Sequence, residues 1–388
     1  MSATPLSIVT LISVTFGFHI ALVNLDIALA TIIVLMKWIG DSRRDDFMKA
    51  RARTLMRYYA STYAVAGVFG TAFTVVLLSF YPSFLGLAGN IAWAPFSIAI
   101  LMIVLRFLSI AGYWYLWDRV SSLAHMIVGA AMAVSGFLIP FGFRAVFAFL
   151  NAPYGLELSP KPHLDLIKAL SNPTFAPLYI KSVLGAMAVG SMVLVAAYSW
   201  RYLTTLENED RYLDLIKNLS ESGLVFLVLS ILAGGWYSMS LFTASPYKFY
   251  NVFGSMMGVK PEHDLSGMFY VKMMVVAAQL LLLLYIFMEV RKSRLSERKA
   301  RYALALAPLA LAGVVCSELL NMYSQLPYFV ARPDLVKKLP ELMAQALMTT
   351  NVNSLANLPS LFLITTALLV PLIAAVLLLF YLILSNGS

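Results

Sequence analysis

The sequence predicts an all-α membrane protein with nine transmembrane helices, and three observations carry that prediction. Of 388 residues, 61% are hydrophobic and 12% charged, against about 45–50% and about 25% in a soluble domain; mean hydropathy is +0.82. The apolar residues fall in charge-free blocks (98–105, 183–197, 280–286 and 361–384) that, with their flanks, reach the ~20 residues a span requires. The ~10-residue alternating segments of an outer-membrane barrel are absent.

Taken in order, the spans are 7–38, 55–81, 95–117, 121–150, 177–203, 219–242, 268–290, 302–329 and 359–384, forming one integral membrane domain over 1–388. The first reads as a retained helix and not a secretion signal, since neither a basic residue nor a clean small-residue cleavage site marks it as one. Turn signals stand between or after spans: Gly40-Asp41-Ser42, Asn151-Ala152-Pro153-Tyr154-Gly155, Ser171-Asn172-Pro173 and Asn386-Gly387. Of the 28 Lys and Arg, 17 fall in the odd-numbered links and 7 in the even-numbered ones, with Lys161 among the seven and Arg294 among the seventeen. Basic loops stay inside, so the expected orientation is N-terminus outside and C-terminus cytoplasmic.

The same composition limits the chemistry. Cys316 is the lone cysteine, which excludes an internal disulfide, a cysteine zinc site and an iron–sulfur cluster. A net charge of +9 reports topology in such a protein, and nucleic acid is not an expected partner. No phosphate loop, glycosidase carboxylate pair or Ser/His/Asp set is evident.

Polar groups at depth are the informative residues, because a charge at mid-bilayer costs roughly 2.5–3.5 kcal/mol on insertion scales. The candidates are His19, Asp26, Arg106, Arg144, Lys181, Glu221, Lys272 and Glu318. Asp26 follows His19 by seven residues, two turns along the same helix face. His19 is the only histidine at depth, which gives it weight in any haem site, imidazole being the usual axial ligand. The competing reading makes it a buried imidazole bonded to Asp26 or a neighbouring helix, and makes the buried acids and bases interhelical ion pairs.

Four stretches resemble subunit I of the cytochrome bd-type terminal oxidases. They are Phe18-His19-Ile20-Ala21-Leu22-Val23, Trp117 to Met126, the run from Asn151-Ala152-Pro153 through Asn172-Pro173 to Tyr198-Ser199-Trp200-Arg201-Tyr202-Leu203, and Lys272-Met273-Met274-Val275. The resemblance implies nine spans, an outside N-terminus and a prokaryotic plasma-membrane location. His19 matches the histidine that ligates a high-spin haem. Met274 matches the span-seven methionine of the low-spin haem, with Met273 one residue off. The low-spin histidine position holds Lys181, a lost ligand, because a protonated amine has no lone pair for iron.

Further departures extend the loss. The two span-three glutamates read Ala99 and Phe107, with Arg106 alongside, and the link that holds the family's quinol site is short (243–267). Haem b or d is therefore expected in fewer copies than the family's three, or not at all, and a quinol site is not supported. The resemblance implies a divergent subunit of a bd-type quinol:oxygen oxidoreductase, lacking the full catalytic site and paired with a haem-bearing homologue. Two alternatives stand beside it: a self-sufficient haem subunit with a non-quinol donor, and an unrelated transporter.

Overall fold

A computed structural model describes residues 6–157, 163–205, 207–292, 295–338, 341–350 and 352–385. Lys161, Arg294 and the Asn386-Gly387 turn lie outside them. Among the described residues, nine helices are long and apolar enough to cross a membrane. They are α1 (Leu6–Ser42), α2 (Asp46–Phe80), α3 (Trp93–Tyr115), α4 (Ser122–Asn151), α5 (Phe175–Thr204), α6 (Glu209–Ala244), α7 (Ser266–Val290), α8 (Leu306–Tyr323) and α9 (Leu358–Ser385).

Burial divides these helices into two groups. In α1, α5 and the α8 span, 67%, 56% and 61% of the apolar stretch is buried, against 17–28% in the other six. The first three therefore form the centre and the rest present apolar side chains outward. Helices α1–α4 pack as one group and α5–α8 as another, with α9 laid against α8 and α1. The halves meet where α1 approaches α5. A Cβ on Gly190 would lie 2.1 Å from the Cβ of Ala28, so only glycine permits that crossing, the small-residue contact typical of membrane helices.

Several helices outrun their hydrophobic spans. Gly40-Asp41-Ser42 is the last turn of α1, not a link. The chain reverses at Arg43–Asp45, where Arg44 is left-handed (φ 54) and Asp45 caps α2 by accepting from the Met48 amide at 3.1 Å. Helix α2 therefore starts nine residues before the apolar run, and α6 starts ten residues before its own, at Glu209. These charged ends pair with each other: Arg211 binds Asp45, Arg51 donates to the Tyr212 hydroxyl at 3.1 Å, and Phe47 meets Tyr212 edge-on. Burial alone would push the Asp45 carboxyl up, but the Met48 amide and Arg211 outweigh it and hold it below its usual range. Arg53 reaches Asp118 at 3.5 Å, so the first, third and fifth links share one end of the bundle.

The opposite end is closed by ordered segments. The 243–267 link holds a short helix, Pro246–Phe253. Its Lys248 and Asn251 are buried against the Ser324–Gln325 turn after α8, where Asn251 Nδ2 donates to the Ser324 carbonyl (3.1 Å).

Candidate functional site

Two of the expected polar residues meet inside the α1–α4 group. Asp26 accepts from the Thr62 hydroxyl at 2.6 Å, and its other oxygen has no hydrogen-bond partner among the described residues. Arg106 donates from Nη2 to the Asp26 carbonyl (2.7 Å) and from Nε to the Tyr59 hydroxyl (2.9 Å). The guanidinium also lies against α4, where a Cβ on Gly136 would stand 2.1 Å from Arg106 Nη1. Arg106 thus fills the middle of this group, on the helix that carries Ala99 and Phe107, the positions expected to match span-three carboxylates.

His19 does not bond to Asp26. Its Nδ1 lies 2.8 Å from the Ala66 carbonyl, and the ring is bedded on Gly70, whose Cβ would sit 2.7 Å from His19 Cε1. Nδ1 therefore carries the proton and the Nε2 lone pair stays free. An Nδ1–H held by a backbone carbonyl is how an iron-ligating imidazole is commonly oriented. The ring nevertheless lines neither of the two cavities described below.

Glu318 on α8 and Arg144 on α4 make a two-pronged ion pair, 2.7 and 3.1 Å. Both are buried, and the planar fork matches the carboxylate. Glu221, expected with the buried polar groups, is exposed. Its neighbour Ser220 takes the inward position, because one residue turns the helix face by about 100°.

A cavity of about 430 Å³ opens between α5, α6, α7 and α8. Lys181, Lys272, Gln279 and Glu318 supply much of its polar lining, with Met273, Val189, Leu227, Ile231 and Val276 on the apolar walls. Met274 is 65% exposed and is not part of that lining. The expected partner of the Lys181 position points away, and Met273 takes the inward place. A second cavity of about 100 Å³, also touching Glu318, is lined by Phe16, Phe73, Lys248, Asn321 and Gln325 among others.

Other functional-looking residues escaped the sequence reading. Lys248, counted there as a link charge, is buried; its Nζ donates to Asn151 Oδ1 (3.0 Å) and, more distantly, to Gln325 Oε1 (3.4 Å). Burial, followed by repulsion from Lys181, holds its pKa down to about 7. Asn151 also donates to the Tyr237 hydroxyl (3.1 Å), which donates to Asn321 (3.0 Å). Gln279, in the middle of α7, donates to the Leu309 carbonyl at 2.6 Å. A search for buried amides as well as charges would have found Gln279; the Asn-rich turns gave no sign that their side chains face inward.

The family model for cytochrome bd terminal oxidase subunit I matches residues 10–266. The chain belongs to that family. The solved bd oxidase from Geobacillus thermodenitrificans is similar in fold, with a TM-score of 0.74, 18% identity and 96% of each chain covered. No curated protein matches the chain. Membership makes this a multi-pass membrane subunit of the bd oxidase family, and the unrelated-transporter alternative falls with it.

The donor set at the position expected for a low-spin haem does not fit that group. Where the resemblance leads one to expect imidazole and thioether, the cavity presents the amines of Lys181 and Lys272, and Met274 lies outside it. Among the described residues no three His, Cys, Asp or Glu side chains group as a metal site.

Proposed function

We propose that this chain is the non-catalytic member of a bd-type respiratory oxygen reductase. It forms one integral membrane domain, N-terminus outside, and pairs in a prokaryotic plasma membrane with a homologous haem-bearing subunit. Oxygen reduction and quinol oxidation then belong to the partner. The observation that carries this reading is the low-spin position: two amines face the cavity, and the matching methionine faces away. Arg106 adds to it by filling the interior beside the missing span-three carboxylates.

Purification of the chain alone and with its genomic neighbours, with haem-to-protein ratios and visible spectra, tests the reading. The expected result is a stable complex in which oxygen consumption depends on the partner. A stable monomer that consumes oxygen unaided would overturn it.

The geometry of His19 favours a second reading, in which this chain contributes one axial ligand to a single haem. Its free Nε2 and its Nδ1 contact to Ala66 are the observation behind it. His19→Ala decides between the two. Unchanged haem content and spectrum mean that the imidazole only ties α1 to α2, and loss of one haem per complex means that it holds iron.

A further inference from the structure

We propose that the cavity between α5, α6, α7 and α8 is a binding site for an anionic amphiphile, with its carboxylate or phosphate head held by Lys181 and Lys272. Both lysines line the same cavity. Among the described residues neither Nζ makes a hydrogen bond or a salt bridge; Lys181 Nζ lies 5.5 Å from the Tyr237 ring centre and Lys272 Nζ 4.9 Å from that of Phe269. Glu318 lines the same cavity, but both of its oxygens are taken by Arg144. With Glu318 so engaged, keeping two amines charged in an apolar bundle is costly, and an anionic ligand offsets that cost.

The form of the cavity selects an amphiphile over a small anion. Lys181 and Lys272 each stand six residues into their helices, about 9 Å from the helix start at 1.5 Å per residue. Farther along, the walls turn apolar at Val189, Leu227, Ile231 and Val276. Gly235 and Met273 line the cavity and are also exposed, so it reaches the outer face between α6 and α7 at membrane depth. A lipid-derived molecule can enter there sideways, head toward the lysines and chain along the apolar wall. Gly234 borders the space, and a Cβ on it meets nothing within 4 Å.

The test uses the full chain purified in detergent. Native mass spectrometry is applied to the wild type, a Lys181→Met/Lys272→Met pair, a Lys181→Arg/Lys272→Arg pair and Gly234→Leu, which fills the cavity while leaving both charges. The expected result is one anionic amphiphile per chain in the wild type and the Arg pair, reduced at least tenfold in the Met pair and in Gly234→Leu. Thermal midpoints with added oleate, dioleoylphosphatidylglycerol, dioleoylphosphatidylcholine or inorganic phosphate identify the source. Stabilisation of the wild type by oleate alone assigns a carboxylate head, and by the anionic phospholipid alone a phosphate head.

Equal stabilisation of the wild type and the Met pair would overturn the proposal, as would a response to inorganic phosphate without either amphiphile. A haem absorption band present in the wild type and lost in the Met pair would also overturn it. If the Met pair does not fold, Gly234→Leu decides: undiminished binding there refutes the site.

Discussion

Arg106 and Lys181 are each a cation set within the apolar stretch of a helix, yet the two halves of the molecule treat them differently. Around Arg106, three helices supply an acceptor or the space it needs: the Asp26 carbonyl on α1, the Tyr59 hydroxyl on α2 and the gap at Gly136 on α4. Around Lys181, α5–α8 supply a cavity and an aromatic face, and the one nearby carboxylate is committed to Arg144. One half has converted a buried charge into structure. The other keeps two charges available, which is how a binding site differs from a structural ion pair.

The largest effect should come from the ion pair that joins the halves. Removing one partner of a buried pair strands the other, at a cost of ~3–5 kcal/mol, so Arg144→Ala or Glu318→Ala should lower stability by that amount in chemical unfolding of the detergent-solubilised chain. Lys181→Met, measured after amphiphile has been stripped, should instead raise stability by on the order of 1 kcal/mol, since it removes a charge with no protein partner. If Lys181→Met proves as damaging as Arg144→Ala, the two halves do not differ in the way described.

A second pair of substitutions compares the halves through their glycines. Gly136→Ala places a Cβ 2.1 Å from Arg106 Nη1 and forces the guanidinium off the Asp26 carbonyl or the Tyr59 hydroxyl. Charge-assisted hydrogen bonds contribute ~1.5–3 kcal/mol each, which sets the expected loss. Gly234→Ala points into open space and should stay within ~0.5 kcal/mol of wild type. Unfolding midpoints of the two variants, side by side, sharpen the contrast; equal losses would erase it.

The fold was legible because the bilayer demands long apolar runs, and all nine helices carry one. Their ends were not legible. Hydropathy stops at the first cluster of charges, whereas α2 and α6 continue through theirs, since a helix beyond the bilayer needs a cap and a neighbour and no apolar exterior: Asp45 supplies the cap, and Arg211 with Tyr212 the neighbour. Within the site, His19, Asp26, Arg106, Lys181 and Glu318 stood out because each interrupts an apolar run. Their partners were not legible: His19 stood between Asp26 and a neighbouring helix, and both it and Asp26 found their partners on α2. Single-residue phase decided the failures. Met273 takes the inward place expected of Met274, and Ser220 that expected of Glu221. Lys248 was missed for another reason: it lies outside every apolar run and is buried by a segment that hydropathy treats as a loop.

Lys248 lies between the two regimes, and its effect is read as a slope with pH and not as a single loss. It has hydrogen-bond acceptors, but both are neutral, Asn151 Oδ1 and Gln325 Oε1, and the charged groups acting on it are Lys181 and Arg144, which repel it, and Glu318, which attracts it. Burial first and Lys181 second bring its pKa to about 7, from 10.5 for a free lysine. Between those two values the unfolded chain holds a proton that the folded chain has released. Stability must therefore rise with pH across that window, at up to about 1.4 kcal/mol per pH unit. Below about pH 7 both states are protonated and the contribution is flat. Tyrosines and other lysines also titrate in this range, so the measurement is the difference between wild type and Lys248→Met at each pH, in which their contributions cancel. That difference should climb in favour of the wild type from pH 7 toward pH 10. In Lys181→Met the repelling charge is gone, so Lys248 should release its proton later and the climb should begin at higher pH. A difference that does not change with pH would mean that Lys248 keeps its proton in the folded chain, and that its two neutral acceptors hold the charge as firmly as the Arg106 pocket holds its own.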